Sequence, residues 1–168
     1  MQNAIFDLVW DAGREFGLKP FGIRAMMALA VEKSYRLIGR ELSIEYAALE
    51  SGLDRFVHPN KGQFIGRDAL VKWRERGFNY RFVTMEVHDV SDADARGSEP
   101  VLANGKMIGR ATSGGYGWRT GKSLALGMVR RELGETGTEL TLSILGKPHP
   151  ATVIAESPFD PENMRLRA

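Results

Sequence analysis

The sequence predicts an α+β protein in which N-terminal helices are followed by a C-terminal antiparallel β-barrel. Apolar residues recur at helical spacing over the first thirty-five residues, and they alternate every second residue beyond residue 78. An Asn-Gly pair at 104–105 stands between two apolar pairs, which is a strong hairpin signal. Together these periods place the helices first and the barrel second.

Two helices are predicted near the N-terminus. The first runs from Ile5 to Phe16, with Gly17 as its C-cap, and the second starts near Phe21 and continues to Tyr35. Two such helices cannot bury their apolar faces alone, so we expect an apolar surface that this chain leaves under-covered and that promotes self-association. Its expected members are Leu8, Val9, Ile23, Met27 and Val31.

An ordered connector is expected over residues 37–62, because the pattern breaks into short pieces punctuated by Gly and Pro. A third helix follows, opened by residues 66–68 and ended by Gly77. Its buried side is expected to carry Ala69, Leu70, Val71 and Trp73.

The barrel is expected to span residues 79–157. Alternation over residues 80–88 predicts its first strand, the Asn104-Gly105 hairpin its middle, and residues 123–129, 139–145 and 151–155 further strands. A glycine turn is expected before Tyr116, and residues 134–137 and 146–150 are expected to form turns.

The composition excludes several classes of function. Lys and Arg total 23 against 21 acids, so no basic stripe indicates nucleic acid. There is no cysteine, which removes disulfides and thiolate chemistry and suits a cytoplasmic location. The three histidines are widely spaced, so no metal site is expected. No apolar run is long enough for a membrane helix, and we expect a soluble protein without a membrane partner.

Eight segments, in order, resemble the folate-binding aminomethyltransferases of the glycine cleavage T-protein family. They are PFGIRA at 20–25, VEKSYR at 31–36, GREL at 39–42, LESGLD at 49–54, FIGRDAL at 64–70, GRATSGGY at 109–116, ALGMVR at 125–130 and GTEL at 137–140. The segments at 21–24 and 32–36 and the ending at 159–167 are more similar to the dimethylglycine and sarcosine dehydrogenase branch.

The resemblance implies tetrahydrofolate as cofactor and N-methylated amines as substrates. Residues 1–60 would be the end of the folate-binding domain, and residues 61–168 a helix plus the aminomethyltransferase β-barrel domain. In the family an N-terminal aspartate assists attack of the pterin N5 on the one-carbon unit, and that part has no counterpart here. We therefore expect no catalytic residue and an inactive isolated chain, whose partners are folate and either a chain with the missing domains or a second copy.

Four residues are expected to bind the cofactor if the resemblance holds: Arg24, Arg55, Tyr116 and Trp118. Met26 stands where T-proteins carry a ligand-pairing arginine, so Arg24 is either its substitute or a surface residue. Arg55 stands where the family places an aromatic residue, and Met164 where T-proteins have a tyrosine. Tyr116 and Trp118 either line a ligand channel or pack in a loop.

Two further readings remain open. Glu32, Glu41 and the pair Glu45 and Glu50 are either acid–base groups or solvated helix and turn residues, and we expect the latter. The function is then either part of a demethylating enzyme or a non-catalytic accessory or protein-binding module of the same family. A third possibility, the folate-dependent iron–sulfur assembly factor, falls because Gln63 replaces its reactive cysteine.

Overall fold

A computed structural model describes all 168 residues, and it consists of three α-helices followed by six strands. The helices are α1 (Gln2–Gly13), α2 (Ile23–Glu32) and α3 (Arg67–Arg76). The strands are β1 (Tyr80–Val87), β2 (Pro100–Ala103), β3 (Lys106–Gly117), β4 (Lys122–Arg130), β5 (Glu139–Ile144) and β6 (Lys147–Ile154). Short 3₁₀ turns lie at Arg14–Phe16, Asp54–Phe56, Pro59–Lys61 and Arg131–Leu133. None of the helices has the length and apolar character needed to cross a membrane.

The strands form a closed antiparallel barrel in the order β1-β4-β3-β2-β5-β6, with β6 returning to pair with β1. The predicted α+β class and C-terminal barrel are confirmed, and Asn104-Gly105 forms the β2–β3 turn with both residues at positive φ. Two apolar clusters hold the fold. One fills the barrel around Met85, and the other lies outside it, where α2 covers the outer faces of β3 and β4.

Strand β4 is buried along almost its whole length because it is covered on both faces. Residues 123–129 are all buried. Leu124, Leu126 and Met128 point outward to Val31 of α2, whereas Ala125 and Val129 point into the barrel. A continuous apolar run is what burial on two sides requires. The helix α2 is therefore part of the barrel's packing.

The predicted glycine turn before Tyr116 is wrong, because β3 continues through it to Gly117. The strand carries a bulge at Thr112, which stands between the paired residues Ala111 and Ser113 and has no partner of its own in β4. A Cβ added to Gly114 would lie 2.5 Å from the carbonyl oxygen of Ala95. Glycine is thus required here by the close approach of another backbone segment.

The predicted turn over residues 146–150 is also wrong. The turn between β5 and β6 contains only Leu145 and Gly146, both at positive φ, and β6 begins at Lys147. Pro148 and Pro150 lie in the first part of β6, which pairs with β5 alone, since β1 joins only from Ala151. Proline has no N–H to donate, and it is tolerated in this part of β6 because one side of the strand has no neighbouring strand to bond.

The helices differ in how their burial compares with the prediction: α1 is left uncovered as expected, α2 is more buried than expected at two positions, and α3 is less buried than expected. In α1 no residue is buried, and Leu8 is 73% and Val9 55% exposed. Ile23 is 62% exposed, whereas Met27 is half-buried and Val31 is buried against β4, so those two do not belong to the uncovered surface. In α3 the prediction is wrong, because the expected buried side contains no buried residue.

Helix α2 ends at Glu32 rather than Tyr35, because Ser34 adopts a left-handed conformation at φ 53°. Gly17 does cap the first helical segment in the left-handed region, at φ 70°. The start of α3 at Gly66 and its end at Gly77 agree with the prediction.

Candidate functional site

An open cleft of about 850 Å³ lies between α2, the loop after β1 and the adjoining ends of β3 and β4. It contains three of the four residues that the sequence singles out, namely Arg24, Tyr116 and Trp118. Helix α2 positions Arg24, the end of β3 positions Tyr116, and Trp118 is the first residue of the β3–β4 turn. The structure therefore brings together side chains that are far apart in the chain.

The aromatic pair forms one wall of the cleft. The Tyr116 and Trp118 rings meet edge to face, with centroids 5.0 Å apart, and Trp118 is 81% exposed. The guanidinium of Arg24 is exposed and forms no hydrogen bond or ion pair within the chain. Exposed aromatic faces beside an unpaired cation are suited to a flat conjugated ring that carries an anionic or carbonyl oxygen.

Three of the four acidic residues that line the cleft have partners within the chain, and the exposed Asp89 does not. Lys122 Nζ lies 2.6 Å from a Glu86 oxygen, and Ser123 Oγ donates to Asp94 at 2.6 Å. The ammonium group of Lys147 hydrogen-bonds Asp92 and lowers the pKa of that carboxyl. These contacts engage Glu86, Asp92 and Asp94 and leave Asp89 as the one carboxylate of the cleft without a partner in the chain.

Arg55 lies outside the cleft. It belongs to the 3₁₀ turn Asp54–Phe56, and its guanidinium stacks over the Phe56 ring at 4.6 Å. Met26 and Met164 are exposed and do not line the cleft either. The structure thus separates Arg55 from the other three candidates.

The expectation that Glu32 is solvated is wrong. It is 1% exposed, and its Oε1 accepts the backbone N–H groups of Arg119 at 2.6 Å and Thr120 at 2.9 Å. These amides belong to the β3–β4 turn, so the carboxylate fastens the end of α2 to that turn. A Cβ on Gly117 would lie 2.9 Å from Glu32 Oε1 and 2.4 Å from Thr120 Oγ1, so any larger residue would displace one of these side chains.

Glu41 and Glu50 are buried in the same manner. Glu41 accepts the backbone N–H of Leu37 at 2.8 Å and the hydroxyl of Ser113 at 2.7 Å, which joins the connector to β3. Glu50 accepts the backbone N–H groups of Asn79 and Tyr80, each at 3.1 Å, at the start of β1. Both carboxylates therefore have hydrogen-bond donors and serve the fold. In the sequence, only their location within family-like segments could have indicated that they are buried.

The residues that follow α2 hold the C-terminal tail. Lys33 Nζ donates to the Asp160 carbonyl at 2.6 Å and to Asn163 Oδ1 at 2.8 Å. Ser34 Oγ is 2.8 Å from Thr84 Oγ1 in β1 and accepts the Ser157 N–H at 2.9 Å. The segment at 32–34 therefore joins a helix, a strand and the tail, and its polarity serves the fold rather than the chemistry.

Two family models match the chain in consecutive order. The GCVT N-terminal domain matches residues 1–61, and the glycine cleavage T-protein C-terminal barrel domain matches residues 81–160. The chain is similar to the mitochondrial dimethylglycine dehydrogenase of Homo sapiens, with 39% identity over 154 residues, which cover 91% of this chain and 18% of that protein. It is 41% identical over 143 residues to an aminomethyltransferase of Moorella thermoacetica, covering 85% of this chain and 38% of that protein.

Among solved structures, the fold is similar to the glycine cleavage system aminomethyltransferase T from Bartonella henselae. The TM-score is 0.82 at 22% identity, and the match covers 94% of this chain and 44% of that one. At this identity the likeness concerns the fold. The chain spans less than half the length of each of these three proteins.

Proposed function

Because the chain belongs to the glycine cleavage T-protein family, we propose that it is the C-terminal folate-binding portion of a tetrahydrofolate-dependent one-carbon transfer protein. Its relatives are named aminomethyltransferase and dimethylglycine dehydrogenase, which supports a donor in which the one-carbon unit is bound to an amine nitrogen. The lack of cysteine suits a reducing compartment, and we propose the cytoplasm.

The observation that carries the proposal is the cleft that unites Arg24, Tyr116 and Trp118. The exposed ring of Trp118 would stack on the flat pterin, and the unpaired guanidinium of Arg24 would bond an oxygen of the ligand. Arg55, stacked on its neighbour, would contact folate only through a separate surface. In this arrangement the chain binds and orients the cofactor and supplies no catalytic group.

A cleft open to solvent holds a ligand on one side only, so the affinity of the chain by itself should be low and its transfer activity nil. Catalysis by positioning requires the reacting nitrogen to be held from both sides in a channel that excludes water. The exposed apolar side chains of α1 supply a surface on which further folate-domain residues would pack. We propose that such residues, in this or another polypeptide, complete the site.

Titration with tetrahydrofolate, followed by amide chemical shifts, tests this proposal. We expect shifts confined to residues near Arg24, Tyr116 and Trp118, with a dissociation constant of about 1 mM, worth about 4 kcal/mol. Trp118→Ala should weaken binding about tenfold, because one base-like stacking contact contributes about 1–3 kcal/mol. Arg131→Ala, which removes an exposed arginine outside the cleft, is the matched control. Low-micromolar binding, or shifts centred on Arg55, would contradict this site.

A second candidate is a non-catalytic accessory module that binds protein through the α1 surface. The specific observation in its favour is that α1 contains no buried residue, although Leu8 and Val9 are large and apolar. The two candidates differ in one measurable respect. An accessory module should show no cleft-centred shifts with tetrahydrofolate at any concentration.

A further inference from the structure

A second cavity, of about 320 Å³, lies on the outside of the barrel between the connector, the loop before β2 and the bulge of β3. Its charged lining consists of Arg40, Arg96, Arg110 and a single carboxylate, Glu45. We call it the arginine groove. Three guanidinium groups beside one carboxylate leave an excess of positive charge in a small space.

The three arginines differ in how far they are neutralised. Arg110 is paired with Glu45. Arg40 is held in place through Nη1, which donates to the carbonyl oxygens of Arg96 at 2.9 Å and Thr112 at 3.0 Å, and its remaining N–H groups have no partner. The Arg96 side chain forms no hydrogen bond and no ion pair within the chain.

The adjacent carboxylate of Glu99 does not compensate for this charge. Both its oxygens accept backbone N–H groups, from Arg96 at 2.8 Å and from Gly97 at 2.7 Å, and it does not line the groove. It fixes the loop that carries Arg96 instead. The loop is further paired to β3, since Ser98 donates to the carbonyl of Ala111 at 2.7 Å.

A buried hydroxyl without a partner lies at the same place. Thr112 is the bulged residue of β3 and lines the groove, it is 7% exposed, and its Oγ1 forms no hydrogen bond. Leaving a buried hydroxyl unpaired is unfavourable, so the Thr112 hydroxyl calls for a partner, and a bound ion or water is one such partner. Bulges are frequent beside functional sites because they redirect a side chain.

We propose that the arginine groove binds an oxyanion, either a carboxylate or a phosphate. The Arg96 guanidinium and the free N–H groups of Arg40 provide charge-assisted donors, and the Thr112 hydroxyl provides a neutral one. Arg96 also lines the cleft of Arg24 and Trp118, so the anion is either the acidic end of a ligand lying in the cleft or a separate small anion. The anion site itself does not depend on the folate assignment.

Inorganic phosphate and glutarate are the probes, titrated into the 168-residue chain at constant ionic strength while amide shifts of residues 96–99 and 110–113 are followed. Arg96→Ala should weaken binding at least tenfold, as expected for a lost charge-assisted hydrogen bond. Arg131→Ala makes the same change of charge away from the groove and should stay within twofold. Equal losses in both variants, or no binding of either anion, would overturn the proposal.

Thr112→Val separates binding from a structural role. Without anion the variant should have an unchanged or higher melting temperature, because it removes an unpaired buried hydroxyl while preserving shape. Adding phosphate should raise the melting temperature of the wild type more than that of the variant, since a ligand that binds the folded state more tightly stabilises it more. A variant that melts lower by the same amount with and without phosphate would show a purely structural threonine.

A third titration distinguishes the two sources of the anion. We expect para-aminobenzoyl-glutamate to bind more tightly than glutarate and to shift signals of both Arg96 and Trp118 if the anion belongs to a cleft ligand. Equal affinities with shifts at Arg96 alone would assign the groove to a free anion, which also fulfils the proposal.

Discussion

Replacing Glu32 tests whether its buried carboxylate fastens α2 to the barrel. In Glu32→Gln the amide oxygen can still accept from Arg119 and Thr120, but without a charge. Charged hydrogen bonds contribute about 1.5–3 kcal/mol and neutral ones about 0.5–1.5, so the loss is about 1 kcal/mol for each of two bonds. We therefore expect the free energy of unfolding to fall by about 2 kcal/mol, a large part of the roughly 5–15 kcal/mol available to a domain.

Glu32→Ala should be worse, because it leaves both amides of the β3–β4 turn without their acceptor, at about 1–3 kcal/mol each. Urea unfolding followed by tryptophan fluorescence measures both changes, and Glu132→Gln, an exposed residue outside this contact, is the control, expected within about 0.5 kcal/mol. A Glu32→Gln protein as stable as the wild type would refute the structural reading. Acid–base chemistry at this position would then need to be reconsidered.

Three more predictions concern packing, pH and association. Gly117→Ala should lower stability by about 1–3 kcal/mol in urea unfolding, because its Cβ would lie 2.9 Å from Glu32 Oε1. Burial raises the pKa of the Tyr46 phenol above its ordinary 10.0. The folded protein therefore holds the phenol proton more tightly than the unfolded chain does. The contribution of Tyr46 to the free energy of unfolding is complete below about pH 10 and is lost as the pH rises above it. Tyr46→Phe should flatten the fall in stability measured at alkaline pH. Replacing Leu8 and Val9 together by Glu should reduce self-association in sedimentation velocity with little loss of stability, because neither is buried.

Each of these has an outcome that counts against it. Additive losses in a Gly117→Ala, Glu32→Gln double variant would show that the two sites do not share a contact. Parallel stability curves above pH 10 for the wild type and Tyr46→Phe would remove the burial argument. A wild-type chain that sediments as a monomer at all concentrations would mean that the α1 surface does not mediate self-association.

The barrel could be predicted because its signals are local. The period of two at residues 80–88 and the Asn104-Gly105 pair act within a few residues, and the predicted strand and turn both form, although β1 is buried on both faces over residues 82–85. The extension of β3 through Gly114 could not be predicted, because glycine is needed there to avoid a clash with the backbone of Ala95, which belongs to the distant loop before β2.

The candidate site was predictable in part and for a different reason. Resemblance singled out Arg24, Tyr116 and Trp118 one by one, yet only the packing of α2 on β3 and β4 shows that they share a cleft. Charge in a sequence looks the same whether a residue is solvated or buried, and Glu32 was misjudged for that reason. The unpaired Thr112 hydroxyl has no local sequence signal at all, since it depends on a bulge.

The bond between Lys33 and Asn163 also sets an order of events during synthesis. The two residues are 130 positions apart, so at about 5–20 residues per second the helix emerges roughly 7–26 s before its tail partner. Until β4 is complete at Arg130, α2 has no strand to pack against and its apolar side chains stay exposed, and after that point it still lacks the contact with the tail. Newly made chains should therefore be most vulnerable to aggregation before residue 130 is translated, and stalling there should be more harmful than stalling once β4 is complete.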